Sequence, residues 1–153
     1  MGRPTNLHVD DQLCFALYAA TNTVTRAYRP LLERIALTYA QYLVMLTLWQ
    51  HRELSISEIA VRLALPGHAV SPLVERLEDA GFVLRRRAAP DRRVVHVSLT
   101  PAGAELESAA SAAQRSVACD TGLSPEALAE LREQLHELVD RMTHLTPTEG
   151  AAS

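Results

Sequence analysis

Two short helical segments joined by a tight turn, in the middle of the chain, constrain the fold more than any other feature of the sequence. Ser55 and Glu58 have the spacing of a capping box, and an apolar face follows at Ile56, Ile59, Ala60 and Leu63. A Leu-Pro-Gly turn at 65–67 ends this helix. The next helix has its apolar face at Val70, Leu73, Val74 and Leu77 and stops at Ala80-Gly81. The pattern predicts a helix-turn-helix.

A β-hairpin with a charged loop follows directly. The segments 82–84 and 94–99 predict two strands, and the sequence RRRAAPDRR lies between them. A hairpin in this place is a wing, whose arginines are placed to reach the phosphates or the minor groove of DNA. The second helix of the helix-turn-helix keeps polar side chains on its outer side, free to meet a groove, at His68, Ser71, Glu75 and Arg76.

Charge is concentrated in that hairpin. The chain has a formal net charge of -3, and all 15 of its basic residues are arginine. Between Phe82 and His96, Asp91 is the only acid, and the segment contains Arg85, Arg86, Arg87, Arg92 and Arg93. A local basic patch in an acidic chain is typical of proteins that bind nucleic acid, although a hairpin made soluble by arginine would carry the same charges.

The two ends of the chain predict long helices. A helix over about 11–34 can be capped by Asp10 or Asp11, and Pro30 should bend or break it near its end. A second helix over about 38–51 has its candidate buried side at Tyr42, Leu43, Leu46 and Trp49. Thr100-Pro101 and Ser124-Pro125 open two further helices.

The last of these helices has an apolar stripe that is too long for a small core to cover, at Leu128, Leu131, Leu135, Leu138, Val139 and Met142. Such a stripe predicts a homodimer formed through the terminal helices. Packing against the first helix of the same chain is the alternative that the sequence leaves open.

The length of 153 residues predicts a single domain over 1–145. Within it we expect dimerisation helices at about 10–50 and 101–145 and a DNA-binding lobe at about 53–100. The tail at 146–153 is expected to be disordered. No segment has the length of a membrane span or the features of a signal peptide, so a soluble cytoplasmic protein is expected.

Enzyme chemistry finds no support in the sequence. Two cysteines and six scattered histidines form no cluster with the spacing of a metal site, and neither a glycine-rich phosphate loop nor a G-x-S-x-G motif is present. We therefore expect no metal, no cofactor and no ordinary enzyme. The fold class is predicted as mainly α with a small β-hairpin wing.

Three stretches of the sequence resemble the MarR family of bacterial regulators. The segments 11–20 (DQLCFALYAA) and 28–49 (YRPLLERIALTYAQYLVMLTLW) are similar to the N-terminal half of its OhrR branch, whose members sense organic hydroperoxides. Segment 71–103 resembles the recognition helix and wing of the family, with its D-x-R pattern at 91–93. One departure, LPGHA at 65–69 in place of a polar run containing Asp and Ser, leaves the operator sequence open.

The resemblance implies a peroxide-sensing thiol at Cys14, in the first turns of the first helix, where the helix dipole favours the thiolate and nearby acids oppose it. It also implies that phenols of the other subunit, at Tyr28 and Tyr39, hydrogen-bond the sulfur, and Tyr18 is a further candidate to line the site. Cys119 falls where two-cysteine relatives have a resolving cysteine that condenses with the oxidised thiol of the other subunit.

The resemblance further implies a repressor that binds operator DNA as a reduced homodimer and releases it when an organic hydroperoxide oxidises Cys14. At the wing, Asp91 would hold Arg93 by a salt bridge across the hairpin tip. The expected contacts to double-stranded DNA are His68, Ser71, Arg76, Arg86, Arg87, Asp91, Arg92 and Arg93. Two alternatives remain: a regulator that senses a small aromatic ligand, with incidental cysteines, and a thiol peroxidase.

Overall fold

The computed structural model describes residues 6–145, which form six α-helices and a three-stranded antiparallel sheet. After a short 3-10 turn at Val9–Asp11, the helices are α1 (Leu13–Glu33), α2 (Tyr39–His51), α3 (Ile56–Leu63), α4 (Gly67–Asp79), α5 (Pro101–Asp120) and α6 (Pro125–Leu145). The strands are β1 (Glu53–Ser55), β2 (Val83–Arg87) and β3 (Val95–Leu99). The predicted fold class is confirmed.

Two compact units make up the chain, one ending at Val117 and one beginning at Ala118. The single domain expected from the length stays a prediction. The tail at 146–153, expected to be disordered, lies outside the described residues. No helix in the described range 6–145 is both long enough and apolar enough to cross a membrane.

Helix α2 is the centre of the first unit and is buried on most of its circumference, at Tyr42, Val44, Met45, Thr47, Leu48 and Trp49. Thr38 begins it with a capping box, since its hydroxyl accepts a hydrogen bond from the Gln41 backbone and the Gln41 side chain accepts one from the Thr38 backbone. The prediction that Leu46 is buried was wrong, because Leu46 is 41% exposed on the rim of an open groove beside α5.

The helix-turn-helix forms as predicted. The Ser55 hydroxyl accepts a hydrogen bond from the backbone of Glu58 (3.1 Å), whose carboxylate accepts one from the Ser55 backbone (2.7 Å). On α4, Val70 and Val74 are fully buried. The helix ends at Asp79, and Gly81 has a φ of 84°, a conformation that favours glycine.

The sheet has the strand order β1-β3-β2. The wing hairpin was predicted, but its first strand continues to Arg87 and so includes the three arginines at 85–87 that the prediction placed in the loop. Strand β1 was not predicted. Strand β1 has three residues and pairs with β3 from Glu53 opposite Ser98 to Ser55 opposite His96. So short a segment shows no alternation of its own, and its last residue also caps α3.

Helix α1 differs from its prediction at both ends. Its N-cap is Gln12, and Asp10 and Asp11 lie in the preceding 3-10 turn, where neither caps α1. Pro30 does not break the helix, which continues to Glu33. The N–H that proline lacks removes one hydrogen bond, to the Arg26 carbonyl, and the helix ends three residues after Pro30. The backbone amides of Ile35 and Leu37 then donate hydrogen bonds to the Leu32 carbonyl and close the helix end.

A glycine near the start of α5 lets this helix approach the wing. Thr100 caps the helix by accepting a hydrogen bond from the Gly103 backbone (3.1 Å), and its hydroxyl donates one to Gly81 (2.6 Å). A Cβ atom on Gly103 would lie 2.0 Å from the Phe82 carbonyl oxygen. The indole of Trp49 donates a hydrogen bond to the Gly103 carbonyl (3.0 Å), so no larger residue fits without displacing backbone.

Helix α6 contains no buried residue. It is capped as predicted, because the Ser124 hydroxyl accepts a hydrogen bond from the Ala127 backbone (3.1 Å). Its apolar stripe lies open in the single chain, with exposed fractions of 40% at Leu135, 45% at Leu131, 50% at Val139 and 61% at Met142.

Candidate functional site

The outer side of α4 presents the polar residues expected of a recognition helix. His68, Glu75 and Arg76 are exposed, and Ser71 is half-buried. The opposite side of α4 packs into the core through Val70, Val74 and Leu77, which fixes the direction of the exposed side chains. These residues therefore form a surface that a DNA groove could accept.

The tip of the wing holds an ion pair between Asp91 and Arg93. The Asp91 carboxylate accepts hydrogen bonds from the Arg93 backbone (3.1 Å), from its Nε (3.1 Å) and from its Nη2 (3.3 Å). These bonds lower the pKa of Asp91, and the Arg93 side chain remains 92% exposed. The predicted salt bridge is therefore present, and it directs a charged guanidinium into solvent.

The other arginines of the wing, which the sequence presents as one basic patch, have different surroundings. The Arg86 guanidinium pairs with Glu53 of β1 (3.0 Å), and Arg87 donates a hydrogen bond to the carbonyl of Arg92 (3.0 Å). Arg85 is bound by Glu75 and Glu78 of α4. The structure thus separates arginines on the exposed wing from one held against the recognition helix.

Cys14 is the second residue of α1 and is an exposed free thiol. Tyr18, one helical turn further on, is 68% exposed. Tyr28 lies 14 residues after Cys14 on the same helix, a separation of about 21 Å at about 1.5 Å per residue. The thiol and Tyr28 of one chain are therefore not in contact, and only a second chain could bring them together.

Tyr28 and Tyr39 belong to a cluster of three tyrosines whose third member, Tyr42, was not among the predicted site residues. The ring centroids of Tyr28 lie 5.5 Å from Tyr39 and 5.2 Å from Tyr42. Tyr42 follows Tyr39 at the i, i+3 spacing that places two residues on one helical face, and this signal could have identified it.

Burial raises the pKa of both Tyr39 and Tyr42, and a hydrogen bond with Tyr28 further raises that of Tyr42. Because these phenols stay protonated at neutral pH, the cluster is a source of hydrogen-bond donors. A thiolate or a peroxide oxygen is a suitable acceptor for such donors.

Cys119 lies in the last turn of α5 and is also an exposed free thiol. Its backbone carbonyl accepts a hydrogen bond from Gly122 (3.1 Å) in the turn that leads to α6. Both cysteines are therefore free and exposed in the single chain, and their redox role stays a prediction.

An open groove of about 310 Å³ lies between α2 and α5 in the first unit. Its aromatic wall is formed by Tyr42 and Trp49, and Glu107, Ser111 and Gln114 supply polar atoms on the other side. A groove lined by aromatic side chains and a few polar groups is typical of sites that bind small molecules.

Comparison with known proteins identifies the family. Residues 37–95 match the model of the MarR family. The transcriptional regulator TtmR of Methylorubrum extorquens (strain PA1) is 42% identical over 142 residues, which cover 88% of this chain and 73% of TtmR. The organic hydroperoxide resistance transcriptional regulator of Bacillus subtilis (strain 168) is 34% identical over 137 residues, which cover 90% of this chain and 93% of that protein.

The chain is also similar in fold to a solved structure of a protein bound to DNA. Overoxidised AbfR bound to DNA aligns with a TM-score of 0.74 and 30% identity, covering 88% of this chain and 94% of AbfR, a protein of Staphylococcus epidermidis. The similarity of fold and two relatives above 30% identity over most of their length point to the same family. The chain therefore belongs to the MarR family of transcriptional regulators.

Proposed function

We propose that the chain is a redox-sensing repressor, which binds operator DNA as a reduced homodimer and releases it when an organic hydroperoxide oxidises Cys14. The observation that carries the proposal is the exposed free thiol of Cys14 in the first turn of α1, in a chain 34% identical to an organic hydroperoxide resistance regulator. AbfR, solved in reduced, overoxidised and disulfide-formed states, supports the same kind of chemistry.

One molecule of hydroperoxide is enough to oxidise Cys14 and to form the disulfide with Cys119. The Cys14 thiolate attacks the distal oxygen of the hydroperoxide ROOH, the O–O bond breaks, and the products are a sulfenic acid and the alcohol ROH. The thiol of Cys119 from the other subunit then attacks the sulfenic sulfur, forming a disulfide and releasing water. Donation from the phenols of Tyr28 and Tyr39 in the partner chain would stabilise the thiolate before the first step.

DNA binding is assigned to α4 and the wing. Exposed side chains of α4 at His68 and Arg76 would meet the major groove, with Ser71 beside them. On the wing, Arg93 with its partner Asp91 would enter the minor groove, and Arg86, Arg87 and Arg92 would contact phosphates.

The test is an anisotropy titration of reduced protein with duplex DNA from upstream of its own gene, with and without one equivalent of cumene hydroperoxide. We expect the hydroperoxide to release DNA from the wild type and a thiol reductant to restore binding. Cys14→Ser should bind DNA equally well and ignore the hydroperoxide. Release of DNA from Cys14→Ser by the hydroperoxide would contradict the proposal.

The groove between α2 and α5 favours one other candidate, a regulator that senses a small aromatic ligand. Under that alternative, Cys14→Ser would respond as the wild type does, and Trp49→Leu would lose the response to an aromatic acid such as salicylate. Repeated turnover of hydroperoxide with a thiol reductant, without any salt-dependent DNA affinity, would instead indicate a thiol peroxidase.

A further inference from the structure

Arg85 differs from its neighbour Arg86 in the direction it faces, and from Arg87 in having two carboxylate partners on α4. In the hairpin, Arg85 pairs with Val97 and Val83 pairs with Leu99, so these four side chains share one face of the sheet. Val83 and Val97 are fully buried, which identifies this face as the one turned to the core. Arg86 is paired with His96 on the opposite face.

Two carboxylates of α4 receive Arg85. Glu78 accepts hydrogen bonds from the Arg85 backbone (2.8 Å) and from its Nε (3.1 Å), and its carboxylate lies 3.0 Å from Nη2. Glu75, one turn earlier on α4, lies 3.4 Å from Nη1. The arginine thus binds the recognition helix through both its main chain and its side chain.

Both partners of this contact are partly shielded. The side chains of Arg85 and Glu78 are 35% and 30% exposed, against 73% for Arg86. Hydrogen bonds from the Arg85 backbone and side chain lower the pKa of Glu78, and the same contact raises the pKa of Arg85. Both groups are therefore charged at neutral pH, and the positive charge of Arg85 is opposed by protein carboxylates.

From this geometry we propose that Arg85 is a positioning residue that fixes the wing against the recognition helix through Glu78 and Glu75 and does not contact DNA. The proposal rests on the assignment of α4 and the wing to DNA binding. A DNA duplex presents its major and minor grooves at a set spacing, so two protein elements that read them must be held at a matching distance. Arg85 would hold that distance, and its carboxylate partners would otherwise repel the phosphates.

The experiment uses a duplex selected by the full-length wild-type chain from a random-sequence library, with affinity measured across a salt series. For Arg85→Met we expect a fivefold to tenfold loss of affinity for the duplex, which is roughly the contribution that a partly exposed network of ion pairs makes. The slope of log K against log salt should not change, because no phosphate contact is lost. Arg86→Met, which removes the same charge from the outer face of β2, should lower that slope by about one unit.

Glu78→Gln separates positioning from general electrostatics. This change makes the chain less acidic beside the DNA, so electrostatics alone predicts tighter binding, whereas the positioning role predicts weaker binding. Asp79→Asn, an exposed neighbour with the same change of charge, is the matched control and should not weaken binding. The double variant Arg85→Met, Glu78→Gln should be no weaker than Arg85→Met alone, because the two residues act through one contact.

Three results would overturn the proposal: a salt slope lowered by about one unit in Arg85→Met, tighter binding by Glu78→Gln, or additive losses in the double variant. If Arg85→Met does not fold, the comparison of Glu78→Gln with Asp79→Asn still decides. Failure of the wild type to select any duplex would overturn the DNA-binding assignment as well, and it would be known before any variant is made.

Discussion

The DNA-binding lobe and the last helix differ in whether their side chains find partners within the same chain. In the lobe, α4 buries Val70, Val74 and Leu77 in the core of its own chain, and the ion pairs at the wing have their partners within the same unit. Helix α6 has more large apolar side chains than α4, yet it buries none of them. In a single chain the apolar side of α4 is therefore buried, whereas the apolar stripe of α6 stays exposed. An exposed stripe of this kind is what a helix needs in order to pack against a second copy of the chain.

The largest effect should come from charge placed in the stripe of α6. We expect Leu135→Glu to dissociate the homodimer and to weaken operator binding by about 100-fold or more, because the second half-site no longer binds as part of one molecule. Analytical ultracentrifugation and anisotropy titration measure the two effects. Glu133→Lys, on the polar side of the same helix, should change neither. A Leu135→Glu variant that stays dimeric would place the interface elsewhere.

The next prediction concerns the two cysteines, which lie outside the lobe in α1 and in the last turn of α5. After treatment with one equivalent of hydroperoxide, wild-type protein should run at dimer mass in non-reducing electrophoresis. The band should be absent in Cys14→Ser and in Cys119→Ser. A disulfide needs Cα atoms within about 7 Å, so the band would report that the two helices of different subunits come that close. Its absence in a wild type that still releases DNA would leave Cys119 without a role.

The elements that the sequence predicts well are those with local signals. The capping box at Ser55 and Glu58, the Pro-Gly turn and the apolar periodicity of α3 and α4 are set within a few residues, and the structure has them where the sequence predicts them. Leu46 and β1 were missed because their environment depends on partners far along the chain, namely α5 and β3. A helix such as α2, apolar on nearly every side, gives no periodic signal from which to choose its exposed position.

The same distinction holds for the candidate site. The pair Asp91 and Arg93 lies within three residues and could be predicted, and it is present. The separate position of Arg85 and the joining of Tyr42 to the tyrosine cluster depend on packing between elements, so composition alone could not show them. Whether two chains bring Cys14 to the phenols of Tyr28 and Tyr39 stays a prediction.

A third prediction tests whether α5 packs against the DNA-binding lobe of its own chain. Gly103→Ala should lower the free energy of unfolding by roughly 2 kcal/mol, because its Cβ would lie 2.0 Å from the Phe82 carbonyl oxygen. Gly67→Ala is the matched control, since a Cβ there meets nothing within 4 Å. Thermal melts of both variants at several protein concentrations separate folding within the chain from association. The loss in Gly103→Ala should be the same at every concentration, whereas a loss that vanishes at high concentration would place Gly103 at the dimer contact.

The smallest effect is expected at the tip of the wing. Arg93 is 92% exposed and already paired with Asp91, so contact with DNA exchanges one set of partners for another and gains little free energy. For Arg93→Ala we expect operator binding to weaken by about 1 kcal/mol if the guanidinium reads the edge of a minor groove, and the loss should depend on the base pairs beneath the wing. If Arg93 touches only phosphate, the loss should be equal for all sequences, and the salt slope should fall by about one unit.

Arg115→Ala, which changes an exposed arginine of α5, controls for the loss of one charge. Unchanged affinity together with an unchanged slope would remove Arg93 from the DNA contact, and the lobe would then bind through α4 and the other arginines of the wing.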